Sequence, residues 1–188
     1  MKFYILTLLF INNFAIYGQI DLTNTVAIEK ARIEALEVPF IVMTEKCHGY
    51  EQTCKMDSAK DEIYFLGETY IIWREGKTFA ASKINSCGIT KFTIEQDTNN
   101  PLVYAMRHFD TIALEEVKQY TLENEGFMIA DHSCHYDFII CDGMKKFKKY
   151  FDGFDLESSE RERNINFNFN NELHLVQLMK NIIALGND

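Results

Sequence analysis

The chain has 188 residues, 47% of them hydrophobic, and a formal net charge of −9. That length builds one domain with its own core. The acidic balance speaks against nucleic acid as a partner, because phosphate contacts need clustered lysine and arginine, and only Lys145–Lys149 forms such a cluster.

Residues 1–18 read as a secretory signal peptide. Lys2 supplies the positive start, and an apolar stretch from Phe3 to Tyr17 follows, interrupted by Asn12 and Asn13. Gly18 is a small residue at a cleavage point before Gln19. The stretch is too short to span a membrane stably. The expectation is a single domain over residues 19–188, secreted or periplasmic, without stable membrane insertion. Loss of Lys2 takes the charge to about −10, which suits a basic protein partner. Export also makes disulfides the default reading of the five cysteines.

Asp21 to Val38 is predicted as a helix with Leu22, Val26, Ile33 and Leu36 on one face and Glu29, Lys30, Arg32 and Glu34 largely outside it, ended by Pro39. Phe40 to Met43 is a short apolar strand. Cys47 to Cys54 reads as a loop closed by its own disulfide. Its six intervening residues, His48 among them, do not match zinc spacing. Residues 62–66 and 68–74 are extended, with Gly67 at a bend and Trp73 as a sheet-face anchor. A turn at 74–77 returns the chain as a strand from Thr78 to Ile84. Cys87 sits at the tip of the next tight loop, 85–88, and a short strand follows at 92–95. Asn100 then caps a helix that Pro101 opens. This helix is expected to run to Tyr120, with Met106, Phe109, Ala113, Val117 and Tyr120 buried and His108 on the surface.

Residues 127–151 read as a hairpin. From Cys134 to Cys141 the residues alternate, with Cys134, Tyr136, Phe138 and Ile140 on the more apolar face. Asp142-Gly143 predicts a type I′ turn. Phe147 and Phe151 are in phase on the return strand, and lysines 146, 148 and 149 protect a sheet edge. One extended strand holds Cys134 and Cys141 roughly 23 Å apart, so they do not pair. Asp155 to Arg163 is charged and exposed. Asn164 to Asn170 alternates strictly, predicting a strand with Ile165, Phe167 and Phe169 inward. Asn170 caps a last helix, 171–185, which buries Leu175, Leu178, Met179, Ile182 and Ile183 and stops at Gly186.

Helix, strands, helix, strands, helix, with strands joined by short turns, give an α+β fold. Its antiparallel β-sheet is built from hairpins, with about three α-helices packed on one face.

Asp131 to His135 is the densest cluster of reactive side chains. His135 and Asp137 share a face and orient one another. A metal or acid–base site would draw on His132 or His135 with distant His48 or His174. There is no Cys-X-X-Cys, phosphate loop, nucleophile elbow or His-Glu-X-X-His. The neighbouring carboxylates Asp61-Glu62 and Glu115-Glu116 are read as solvated. No catalytic residue, metal ligand or cofactor is therefore assigned. Local loop closure pairs Cys47 with Cys54, elimination pairs Cys87 with Cys134, and Cys141 is left as a free thiol. The expected role is non-enzymatic binding of another macromolecule, in the manner of an inhibitor or immunity-type protein. The competing reading is a small secreted metal-binding protein or metal-dependent enzyme using His132 and His135. A lipid or small-ligand carrier, suggested by the aromatic content, would need a large apolar cavity.

Overall fold

The computed structural model describes residues 22–47, 66–95, 100–124, 126, 128, 130 and 133–186. The proposed signal peptide, Cys54, His48 and His132 lie outside them. Among the described residues, six strands form one sheet: β1 (Phe40–Cys47), β2 (Leu66–Glu75), β3 (Thr78–Asn85), β4 (Gly88–Ile94), β5 (Cys134–Cys141) and β6 (Lys146–Asp152). Their spatial order is β4-β3-β2-β1-β5-β6, and every neighbouring pair is antiparallel. Helices α1 (Leu22–Glu34), α2 (Pro101–Arg107), α3 (Phe109–Leu114), α4 (Phe167–Glu172) and α5 (His174–Leu185) complete the α+β fold. No described helix is long and apolar enough to cross a membrane.

The tight connections are set locally. Glu75 pairs with Thr78 across a two-residue turn, where Gly76 takes φ +63°. Asn85 pairs with Gly88 across Ser86 and Cys87. The β5–β6 connection is longer than a type I′ turn, because Cys141 pairs with Lys146 and four residues intervene. The Asp142 carboxylate accepts from the backbone N–H groups of Met144 (2.8 Å) and Lys145 (2.6 Å), closing this loop by an Asx turn.

Both faces of the sheet are covered, not one as expected. Phe40 to Met43 on β1 are buried in succession, so their apolar run does not alternate. On one face, Ile33 of α1 packs with Phe40, Val42, Ile71, Trp73 and Ile84. On the other, α2, α3 and α5 pack Leu102, Ala105, Ile112, Leu175, Leu178 and Ile182 against Ile41, Met43, Ile72, Phe138 and Ile140.

α1 is held to its face by a polar contact as well as by Ile33. Glu29, expected on the outside of the helix, is buried. It accepts from Arg32 Nε (3.0 Å) and Nη2 (2.9 Å), from Lys91 Nζ of β4 (2.9 Å) and from Ser82 Oγ of β3 (3.2 Å). Arg32 also lies over the Trp73 ring, 5.1 Å from its centroid.

The second predicted helix stops early. It is broken at His108 between α2 and α3 and ends at Leu114, and residues 115–120 follow with no regular structure. The reason is tertiary. Glu115, read as solvated, accepts from the N–H groups of His174 (2.9 Å) and Leu175 (2.8 Å) and thereby caps α5. Lys118 and Tyr120 are likewise bonded through their backbone amides to Asn170 and Asp155.

The segment from Asn164 to Asn170 is not a strand: α4 begins at Phe167, and although Asn168 is exposed as expected, the ends of the segment are not. Asn164 and Asn170 are 3% and 0% exposed, whereas Ile165, Phe167 and Phe169 are 55%, 37% and 44% exposed. Each buried asparagine is a hydrogen-bond hub. Asn164 Oδ1 accepts from Thr121 and Asn166 N–H, and its Nδ2 donates to the carbonyls of Asp155 and Glu157. Asn170 Oδ1 accepts from Lys118 N–H, and its Nδ2 donates to the carbonyls of Lys118 and Asp155. A buried amide with all these bonds made is stable where phenylalanine would strand four backbone groups at position 164 and three at 170. Asn170 consequently does not cap α5, which begins three residues later than predicted.

Glu29 makes stability depend on pH. Hydrogen bonding to Arg32, opposed by burial and helped by Lys91, holds its carboxyl down from 4.5 to about 2. The folded value lies below the unfolded one, so the contribution is complete above pH 4.5 and is lost as pH falls towards 2. Glu29→Gln is expected to cost about 1–3 kcal/mol at neutral pH and to flatten the acid limb of urea-unfolding midpoints. An unchanged acid limb contradicts this role.

Candidate functional site

The sequence placed any chemistry in or beside the β5–β6 hairpin. Three groups of polar side chains lie there or across the sheet from it.

The first is the disulfide. Cys47 ends β1, Cys134 starts β5, and the register sets them directly opposite one another. Their Cα atoms are 3.9 Å apart and they form a disulfide, closing 87 residues of chain. The expected Cys47–Cys54 and Cys87–Cys134 pairs are therefore both replaced. Local loop closure loses to strand register, which no spacing in the sequence reveals. Cys87 lies at the β3–β4 tip, three strand steps from β5, or roughly 14 Å at about 4.8 Å a step. Cys87 is itself disulfide-bonded. Cys141, at the other end of β5, keeps a half-buried free thiol and accepts the Gly143 N–H.

Beside the disulfide runs a row of carboxylates and phenols. Glu45 pairs in register with Glu68 on β2 and with Tyr136 on β5. The Tyr136 hydroxyl donates to Glu45 Oε1 (2.9 Å), and the Tyr70 hydroxyl donates to Glu68 Oε2 (2.8 Å). Lys83 Nζ adds an ion pair to the same Glu68 oxygen at 3.0 Å. Burial, reinforced by these carboxylates, pushes both phenols well up, so they remain neutral donors. These residues were missed because only cross-strand register brings Glu45 to Glu68; nothing between positions 45 and 68 signals it.

The hairpin's own histidine is engaged differently from expectation. Asp137 pairs with Lys46 of β1, 2.8 Å away. His135 Nδ1 bonds the Tyr150 hydroxyl (2.8 Å) and lies 3.5 Å from Asp152 Oδ2. The Ser133 hydroxyl donates to that same Asp152 oxygen at 3.0 Å. The carboxylate thus stands between serine and imidazole. A histidine-activated serine needs the imidazole in the middle, so this order does not prepare a nucleophile.

A pair of histidines lies across the core. His108, read as a surface residue, is half-buried and stacks on His174 with ring centroids 3.9 Å apart and planes within 15°. The Tyr104 hydroxyl bonds His174 Nδ1 at 2.8 Å. Burial, with His174 and Arg107 nearby and Glu115 opposing, draws the His108 pKa down. Imidazole lone pairs lie in the ring plane, so two parallel stacked rings do not converge on one ion.

Comparison with known protein families, characterised proteins and solved structures finds no match.

The disulfide pattern gives a direct test. Non-reducing peptide mapping is expected to recover Cys47 linked to Cys134 and Cys141 alkylated without reduction. A Cys47–Cys54 peptide would contradict the β1–β5 register.

Proposed function

We propose that the chain is an exported protein without catalytic activity that acts by binding a basic protein partner, as an inhibitor or immunity-type protein does. The observation that carries the reading is the Cys47–Cys134 disulfide between two central strands. Disulfides of this kind belong to oxidising compartments, and the bonded state of Cys87 adds to the same argument.

Two further features support binding. The chain is acidic, at −9, and opposite charge steers association. It also exposes Ile165, Phe167 and Phe169 in a short stretch fixed by Asn164 and Asn170. Apolar side chains held rigidly in water lose little conformational freedom on docking. Lys118 Nζ already lies 3.9 Å from the Phe169 ring centroid, a cation–π contact that a basic partner can extend.

The test is binding of a purified basic envelope or secreted protein, measured by calorimetry at several salt concentrations. Affinity is expected to fall about tenfold or more as salt rises from roughly 50 to 500 mM. Phe167→Ser and Phe169→Ser are expected to weaken it about tenfold with little change in melting temperature. Binding that ignores both salt and these substitutions would contradict the proposal.

A further inference from the structure

Among the described residues, one set of three potential ligand groups lies close enough to hold a metal ion: Glu45, Cys47 and Cys134, whose ligand atoms all lie within 4.8 Å of one another. In the oxidised protein the two sulfurs are bonded to each other and ligate nothing. We propose that reduction of the Cys47–Cys134 disulfide converts this end of the sheet into a zinc-type divalent-cation site made of two thiolates and the Glu45 carboxylate.

The register supplies the geometry. Cys47 and Glu45 are two residues apart on β1 and so share a face. Cys134 lies directly opposite Cys47, and Tyr136 directly opposite Glu45. The ligands therefore come from two paired strands of a rigid sheet, and all three are half-buried, open enough for an ion to enter. Two Zn–S bonds of about 2.3 Å in a tetrahedron put the sulfurs roughly 3.8 Å apart, a separation opposed strand residues reach by side-chain rotation. Three protein ligands leave the fourth position to solvent, as in open zinc sites.

The surroundings separate the two carboxylates. Glu68 is neutralised by Lys83 and bonded by Tyr70. Glu45 has no cationic partner among the described residues and takes a hydrogen bond from the neutral Tyr136 hydroxyl. A phenol on the far side of a ligating carboxylate is a typical outer-shell group that fixes its orientation.

The step balances with a thiol or phosphine reductant. Two electrons from the reductant break the S–S bond, and two protons from solvent make two thiols. Metal binding then releases those protons and forms two M–S bonds and one M–O bond. The site and the disulfide exclude each other, so bound metal blocks reoxidation.

The experiment uses the purified full chain, reduced anaerobically with a phosphine and titrated with Co²⁺, whose thiolate charge-transfer and tetrahedral visible bands report the ligands. The parent is expected to bind with a two-thiolate signature that Zn²⁺ displaces. Glu45→Gln is expected to weaken binding about tenfold or more, and Tyr136→Phe by a smaller factor. Cys47→Ser removes one thiolate from the signature. Because the reduced chain can loosen, alkylation mapping during air reoxidation is the second readout: Zn²⁺ should delay the return of the Cys47–Cys134 link in the parent and not in Glu45→Gln. Cobalt binding unaffected by Glu45→Gln and Cys47→Ser would place the metal on other cysteines and overturn the proposal. So would binding without a thiolate signature, or reoxidation at the same rate with and without zinc.

Discussion

The fold depends on one strand pairing, β1 with β5. Strands β4, β3, β2 and β1 form a meander, each joined in register to its neighbour in the sheet. Strands β5 and β6 are a separate hairpin. Only β1–β5 makes one sheet of the two, and its strands are far apart in sequence. Such a contact carries the full entropy of closing a long loop before any side chain packs. The structure offsets this at both ends of the pairing. Ile41, Met43, Phe138 and Ile140 bury a common face beside the register, and the Cys47–Cys134 disulfide fixes its other end. A cross-link between the two units acts mainly by restricting the unfolded chain, most strongly when the loop is long.

Once the sheet is joined, its two faces are finished by different physics. The face under α2, α3 and α5 is a large apolar core, and its polar groups, Glu45, Glu68, Tyr70 and Tyr136, gather at the disulfide end. The face under α1 is smaller and is completed by the Glu29 cluster. A buried carboxylate is tolerable there because Arg32 and Lys91 compensate its charge and Ser82 adds a hydrogen bond. Beyond the sheet, the segments 115–122 and 155–170 meet in a single β-bridge, Leu122 with Asn164, and are organised around it by side-chain amides. Asn164 and Asn170 make with their side chains the bonds that a neighbouring strand would make with its backbone. That choice turns Ile165, Phe167 and Phe169 outward and creates the apolar ridge.

What the sequence revealed follows from the range of the forces involved. The hairpins at Gly76 and at 85–88 were legible because a turn is written in adjacent residues. So was the Asn100 cap, whose Oδ1 accepts from Leu102 and Val103 N–H as the Asn-Pro start implied. The inward face of β5, Tyr136, Phe138 and Ile140, was legible because a half-buried strand must alternate. The failures share a cause of the opposite kind. Alternation from 164 to 170 was real, but periodicity does not say which set is buried, and hydrogen bonds to Lys118 and Asp155 decided in favour of asparagine. Glu115 ended a promising helix because α5, about sixty residues on, needed a cap. The disulfide partner of Cys47 was set by β1–β5 register, and so was the Glu45 row beside it. In the candidate site, the residues on the hairpin were visible and their partners on β1 and β2 were not.

The account stands most directly on the β1–β5 cross-link, and its stability contribution is the measurement to make. Urea unfolding of the parent and of the Cys47→Ser/Cys134→Ser double variant, followed with amide hydrogen exchange resolved by strand, reads both the energy and its location. A loop of this length predicts a loss of about 4–5 kcal/mol, with protection falling in every strand and at least as far in β5 and β6 as in β2 and β3. A double variant as stable as the parent, or one in which β5 and β6 keep their protection while β2 and β3 lose theirs, would contradict the account.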